Sequence, residues 1–270
     1  MRTGVLRELF VYNYLFLNNF LEVFAVDNGI WATWYDVADA TRESFLAWLH
    51  DHYCPYLRAQ PGYVWVAHYR HTGGGPQMEQ VKQTAVGRTN EAIGTGNQFL
   101  LLVGGLSPHT FFKPSIKDAA LPAGFEAMLA QRVGLRTAVF SVEERVNGPE
   151  PREFGPGSGP GPAIQMGSFR MRTPKEEFDL GRWYAQYRLP FMAQLKGCIA
   201  TRKLTGVAGW AKHSVLYEFT SLEARLKHFE EPHEALALDR TRWESQVLAG
   251  TVHAPGSPFV GERIWPPLPR

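Results

Sequence analysis

The sequence predicts an α+β fold built twice within one chain, each copy running β-α-β-β-α-β. Three observations predict it. Trp48, Pro55 and Gly62 recur in the same order as Trp183, Pro190 and Gly197, each 135 residues further on, and self-similarity at a fixed spacing marks an internal repeat. Around both stretches, short strand-forming runs alternate with helical ones in the same order. A segment dense in Pro and Gly, 150–162, separates the two series. At 270 residues the chain has the length for two ordinary domains of roughly 100–150 residues, or for one fused duplicated unit.

In order, Gly29 to Tyr35 is rich in aromatic and β-forming residues and reads as a first strand. From Thr41 to Ala59 the apolar groups Phe45, Trp48, Leu49 and Tyr56 recur at helical spacing, with Thr41 as N-cap, and Pro55 should kink or break that helix. Pro61-Gly62 turns the chain into a second strand, Tyr63 to Arg70. The polar, glycine-rich stretch from His71 to Gln98 reads as a long loop. Phe99 to Val103 is a buried third strand, Leu121 to Val133 a helix and Arg136 to Glu143 a fourth strand. The second series has a strand at Ala163 to Met171, a helix opened by Pro174 and interrupted by Pro190, strands at Cys198 to Leu204 and His213 to Phe219, a helix from Ser221 and a last strand at Pro258 to Ile264.

The expected domains are an N-terminal extension (1–28), a first repeat (29–149), the linker (150–162), a second repeat (163–265) and a tail (266–270). Each unit leaves one face of its sheet bare and apolar, so the two should pack sheet to sheet. The expectation is two ferredoxin-like β-α-β-β-α-β repeats forming a single-chain pseudo-dimeric α/β barrel.

The run from Phe45 through Trp48, Tyr53 and Pro55 to Pro61-Gly62 resembles the helix-to-strand signature of the dimeric α/β-barrel superfamily, in particular its EthD-like and stress-responsive branches. The second half keeps Trp183, Pro190 and Gly197, with Lys196 where the first has Pro61. The resemblance covers about Gly29 to Trp265. It implies the barrel fold and a range of activities: cofactor-independent monooxygenases, polyketide cyclases, isomerases, haem enzymes and members without known activity. In those families the position two before the proline is often histidine; here it is Tyr53 in one half and Arg188 in the other.

A charged fraction of 20% and a net charge of +2 describe a globular chain with no signature of nucleic-acid binding. Two cysteines, Cys54 and Cys198, without metal spacing, place it in a reducing, cytoplasmic compartment. Residues 10–26 are apolar but interrupted by Asn13, Asn18, Asn19 and Glu22, too short and polar for a membrane span. Gly155 to Gly161 lacks the Lys-Ser/Thr of a phosphate loop, and Pro232 between His228 and His233 spoils a metal pair, so neither metal nor cofactor is expected.

An aromatic fraction of 13%, with eight Trp, favours an aromatic-lined cavity, for which Trp34, Trp48, Trp65, Trp183 and Trp210 are the candidate walls. Beside the prolines stand His52 and Tyr53, matched by Tyr187 and Arg188. His52 suits a general acid or base, the tyrosines donors to a carbonyl or phenolate, and Arg188 a carboxylate or enolate clamp. His68 and Lys203 occupy equivalent strand positions, on a face shared in the first half with Val64 and Val66. His213 follows Trp210 and Lys212 at a glycine turn. These residues point to a cofactor-independent enzyme acting on an aromatic or polyketide-like molecule by proton transfer: isomerase, cyclase, dehydratase or lyase. The alternatives are a non-catalytic or stress-related binding barrel, and a cofactor-independent monooxygenase or a haem barrel ligated by His68 or His213. The expected partner is a small molecule, with a homodimer also compatible. The first 25 residues lie outside the repeat, which predicts that native translation starts near Val26; mass spectrometry of the native N-terminus checks this, and a mature chain beginning at Met1 refutes it.

Overall fold

The computed structural model describes residues 27–116, 118–151 and 159–267. The expectations for the N-terminal extension, for most of the linker and for the end of the tail therefore fall largely outside the described residues. Among the described residues there are ten strands: β1 Gly29–Val37, β2 Tyr63–His71, β3 Gly87–Arg88, β4 Phe99–Gly105, β5 Arg132–Asn147, β6 Ala163–Met171, β7 Cys198–Ala208, β8 His213–Phe219, β9 Thr251–His253 and β10 Phe259–Trp265.

Eight of them close a ring in the order β2-β4-β1-β5-β7-β8-β6-β10, with β10 pairing back onto β2. Every pairing in that ring is antiparallel. The expectation of two sheets laid face to face is thereby corrected. They are joined edge to edge through the β5–β7 and β10–β2 seams, because closure pairs the backbone groups that two separate sheets would leave open at their edges. The strand β5 runs from Arg132 to Asn147, long enough to pair with β1 on one side and β7 on the other.

Strand alternation divides the side chains into layers. Trp34, Trp65, Tyr69, Phe140 and Phe259 fill the ring's interior together with Ile30, Met166 and Leu216. Alternate residues such as Tyr35, Val66 and Phe99 lie outside, beneath the first-half helices, and Phe169, Val215 and Tyr217 do the same in the second half. One end of the interior is polar. Asp27 accepts a hydrogen bond from Trp65 Nε1 at 2.5 Å and pairs with Arg145 at 2.6 Å and with Arg202 at 2.8 Å. Arg202 reaches Glu218 at 3.2 Å, both fully buried.

The covering helices share a local device. In the first, Arg42–Trp48 is α-helical, Leu49–Tyr53 is π-helical and Cys54–Arg58 is α-helical again. The sequence Pro174–Trp183, Tyr184–Arg188, Leu189–Met192 repeats this pattern, and Leu222–Arg225, Leu226–Glu230, Glu231–His233 does so a third time. In each case a proline, Pro55, Pro190 or Pro232, stands two residues beyond the π segment. Proline lacks an amide hydrogen and its ring collides with the carbonyl four residues back; a wider i→i+5 turn relieves both problems without ending the helix. The break expected at Pro55 and Pro190 is thus a widening.

Other boundaries move for tertiary reasons. The stretch 71–98, expected as a loop, contains the helix Pro76–Thr84 and the two-residue β3, which pairs in parallel with β9. The helix expected over 121–133 shrinks to Phe125–Leu129, because β5 starts early to pair Arg132 with Val37. Thr41 makes no side-chain cap, whereas Thr173 and Glu176 form a reciprocal capping box. The helix Trp243–Ala249 and β9 carry no clear sequence signal. Among the described residues no helix is long and apolar enough to cross a membrane.

Gly62 and Gly197 leave the widened helices with φ of +79° and +84°. A Cβ at Gly197 would lie 2.8 Å from that of Ala224. Gly197→Ala should lower stability by about 1–2 kcal/mol from the left-handed backbone alone, read as a lower urea midpoint at unchanged slope. An unchanged midpoint would show that the turn has another conformation open to it.

Candidate functional site

The last residue of each π segment turns inward: Tyr53, Arg188 and Glu230 are 4%, 3% and 0% exposed. An uninterrupted α-helix would carry His52 on the same face as Phe45 and Leu49; the extra residue of the wide turn moves that face to Tyr53. His52 is accordingly exposed, outside the buried residues beneath the helix.

In the first half, the inward histidine of this helix is His50, which α-helical spacing does not mark. Tyr35 Oη lies 2.7 Å from His68 Nε2, and His68 Nδ1 lies 2.8 Å from His50 Nε2. His68 is fully buried and His50 is half-buried, stacked near Trp265 with ring centroids 6.4 Å apart. The chain has two self-consistent proton arrangements: Tyr35 donates to His68, which donates to His50, or every donor reverses. Burial lowers the pKa of both imidazoles; the neighbouring His50 adds to the effect at His68, and Asp51 partly opposes it at His50. Both ring nitrogens of His68 thus have hydrogen-bond partners. Tyr53 stacks on Trp48 at 5.8 Å, its phenol pushed up to about 12 by burial.

The second half has the richer constellation. Arg188, on the π turn, pairs with Glu244 of the helix Trp243–Ala249 and lies over the faces of Trp183, Phe229 and Tyr217, at 4.6, 5.2 and 5.9 Å. Burial disfavours its charge, but Glu244 together with Tyr217, Glu234 and Tyr184 more than compensates, so the pKa is raised. Arg188 Nε and Nη1, Glu244 Oε2, Trp183 Nε1 and His253 Nε2 are buried with no hydrogen-bond partner among the described residues.

Arg188, Trp183 and His253 line a small, partly enclosed cavity of about 50 Å³, together with Tyr184, Tyr217, Gln165 and Glu234. Met78 and Val81 of the helix Pro76–Thr84 form its cover. That volume holds one or two waters, at about 30 Å³ each. The orientation of the Gln165 amide is set by Arg225, whose Nε and Nη2 donate to its Oε1 at 2.8 and 2.6 Å, so its amino group donates to Glu234. Burial raises the pKa of Glu234, with Arg188 and Arg225 opposing, and that of Glu244. Burial, with Arg88 nearby, pushes His253 down to about 3. The phenols of Tyr184 and Tyr217 hydrogen-bond to each other.

The same carboxylate network reaches the cover. Arg225 pairs with Glu230 at 2.6 Å, and Glu230 accepts the amides of Gly75 and Met78 at 2.9 and 3.1 Å. The cover over the second-half cavity, supplied by the first half, is thus held by a buried ion pair.

The remaining sequence candidates are dispersed. Lys203 is buried, with Nζ 2.8 Å from Glu143 and 3.2 Å from His213 Nδ1, and 5.3 Å above the Tyr184 ring. Burial and the adjacent Lys203 push His213 down to about 4. This cluster adjoins the cavity through Tyr184 and through Phe169, whose ring lies 5.7 Å from that of His213. Trp34 faces the ring interior under Arg136 at 4.7 Å, and Trp65 also faces that interior. Trp210 packs against the interior cluster beneath Arg170 at 4.7 Å. Tyr187 is half-buried against Trp183. Trp34, Trp65 and Trp210 therefore do not line the cavity; strand parity aims the first two at the core. Gln165, Tyr217, Glu234 and His253 are not legible in the sequence because nothing local marks them.

No protein-family model matches the chain, and no curated protein does. Solved structures do match in fold. An anthrone oxidase-like protein superposes with a TM-score of 0.52 at 13% identity, covering 88% of this chain and 92% of its own. A "putative monooxygenase" of Fusobacterium nucleatum gives 0.52 at 9% identity, covering 87% and 92%. At such identities the likeness concerns architecture alone, that of an α+β barrel.

Burial lowers the pKa of six histidines, His50, His68, His71, His213, His233 and His253, and raises that of only two buried glutamates, Glu234 and Glu244. As pH falls below about 6.5, the unfolded chain takes up protons that the folded histidines refuse, so stability falls towards pH 4 by up to about 1.4 kcal/mol per pH unit for each histidine. Urea midpoints measured from pH 7.5 to 5 should decline below 6.5, and less steeply in His68→Gln. A flat profile would contradict the buried neutral state.

Proposed function

We propose that the chain is a small-molecule enzyme that works by proton transfer at the Arg188 cavity, on a compact phenol or enolisable carbonyl compound with an anionic oxygen. The observation that carries this reading is the Arg188 guanidinium, with two buried donor nitrogens unpaired beside a small, aromatic-walled cavity. A buried donor without an acceptor costs about 1–3 kcal/mol, and an oxyanion would supply an acceptor to one of them. Arg188 holds that oxygen while Glu244 balances its charge. Glu234, kept towards its neutral form by burial, is the proton-transfer group: its O–H donates while its carbonyl oxygen accepts, so a proton moves between two substrate atoms without a further charge forming in a buried site. His253 and Tyr217 orient the ligand. Room for it comes from lifting Met78 and Val81, since the cavity is small.

This reading includes the finer architecture. Each half has the ferredoxin-like strand order, β2-β4-β1-β5 and β7-β8-β6-β10; the π turns, prolines and positive-φ glycines recur 135 residues apart. These support a fused duplication of 29–149 and 163–265, with the Trp48 to Pro55 signature favouring the EthD-like branch. The two free buried cysteines fit a cytoplasmic setting.

Thermal-shift measurements against small carboxylates, phenols and β-dicarbonyl compounds should yield at least one stabilising ligand. Glu234→Gln should keep that binding and lower turnover of the same compound by about 100-fold or more. Binding without turnover in the parent protein would reduce the chain to a binding barrel, and silence across the whole panel would remove the site.

A further inference from the structure

We propose that the first half holds a second ligand site, separate from the Arg188 cavity, that takes a single-ring aromatic carboxylate. A cavity of about 130 Å³ lies between the first-half helix and the segment that follows β4. A cavity of about 150 Å³ is enough to hold benzene, so this one fits one six-membered ring with a substituent at its mouth. Trp31, Tyr53, Tyr56 and Tyr63 wall it. The Tyr53 and Tyr56 rings lie 18° from parallel with centroids 6.4 Å apart, and Trp31 has its N–H committed to Thr137 at 2.8 Å, so it offers the ligand its ring. Flat apolar walls of this kind suit a flat apolar ring.

The charge at the site selects the ligand's sign. An aromatic cage also attracts ammonium cations, but no carboxylate lines this one among the described residues and its charged member is Lys113, whose side chain is exposed. A cation would meet that charge with nothing to balance it. An aromatic carboxylate places its ring among the tyrosines and its oxygens within reach of Lys113, with phenol hydroxyls of Tyr53 and Tyr63 as further donors.

The outer wall is a feature of this half alone. Between β4 and the helix Phe125–Leu129 the chain makes a detour whose Phe111 is fully buried against Trp31 at 6.2 Å and Tyr63 at 5.3 Å. Tyr56 Oη donates to Ala120 O at 3.4 Å on its far side. In the second half β8 ends at Phe219 and the next helix starts at Leu222, leaving no chain to build such a wall.

The test is saturation-transfer NMR and titration with benzoate, benzyl alcohol and benzyltrimethylammonium as probes, on the full chain and on two variants. Benzoate should bind; Lys113→Ala should weaken benzoate at least fivefold while leaving benzyl alcohol unchanged; Ala119→Trp, which fills the cavity from its half-buried wall, should abolish both, with the circular dichroism spectrum intact. None of these residues touches the Arg188 cavity, so the outcome is independent of the proton-transfer reading. Benzoate binding unaffected by Ala119→Trp, tighter binding of benzyltrimethylammonium than of benzoate, or no saturation transfer at all would each overturn the proposal.

Discussion

The missing amide hydrogen of proline governs how the helices of this chain lie on its sheet. Pro55, Pro190 and Pro232 each sit where a helix must continue along the strands, and each is accommodated by a π turn that ends two residues earlier. Ending the helix there would expose carbonyls beneath it and leave the outer face of the ring uncovered. Widening the turn keeps the helix and rotates its later side chains. Tyr53, Arg188 and Glu230 are delivered inward by that rotation, one to each of three quite different surroundings: an aromatic stack, an ion-paired cavity wall and a latch on a neighbouring helix.

Much of the architecture is legible in the sequence because repetition is a signal that survives ignorance of contacts. The shared spacing of Trp, Pro and Gly and the strand runs at 163–171 and 213–219 coincide with the elements observed. The parts that are not legible have physical causes. The helix Pro76–Thr84 is too polar to announce itself and is held by a distant carboxylate, Glu230. Strand β5 begins before its own alternation does, because β1 offers it partners. The proline beside it singles out His52 and passes over His50; the π turn, which nothing in the sequence announces, sets which residues face inward. His68 and Lys203, which the spacing of 135 singles out, are both buried. The walls of the Arg188 cavity come from β6, β8, β9 and four helical segments, so no window of sequence contains them.

Buried charge in this chain is organised as pairs and chains. Asp27 with Arg202 and Glu218 lies inside the ring, Arg188 with Glu244 beneath one helix, and Arg225 with Gln165 and Glu230 beneath another. Such pairs gain little over well-packed apolar groups, yet removing one partner leaves a costly unpaired charge. They therefore fix which surfaces meet more than they strengthen the meeting. The Glu230 contact is the clearest instance, since it commits a segment of the first half to lie over the second.

A barrel assembled from two identical subunits receives every substitution twice, once on each side of its axis. Here one chain closes the ring through both seams, β5–β7 and β10–β2, so a substitution enters once. Residues at matching places of the two halves can then differ in chemistry while the backbone geometry around them is alike. Tyr53 and Arg188 stand at the same point of the same turn, one an uncharged phenol among aromatic rings and the other a charged guanidinium facing carboxylates. Covalent continuity lets one scaffold keep two unlike interiors.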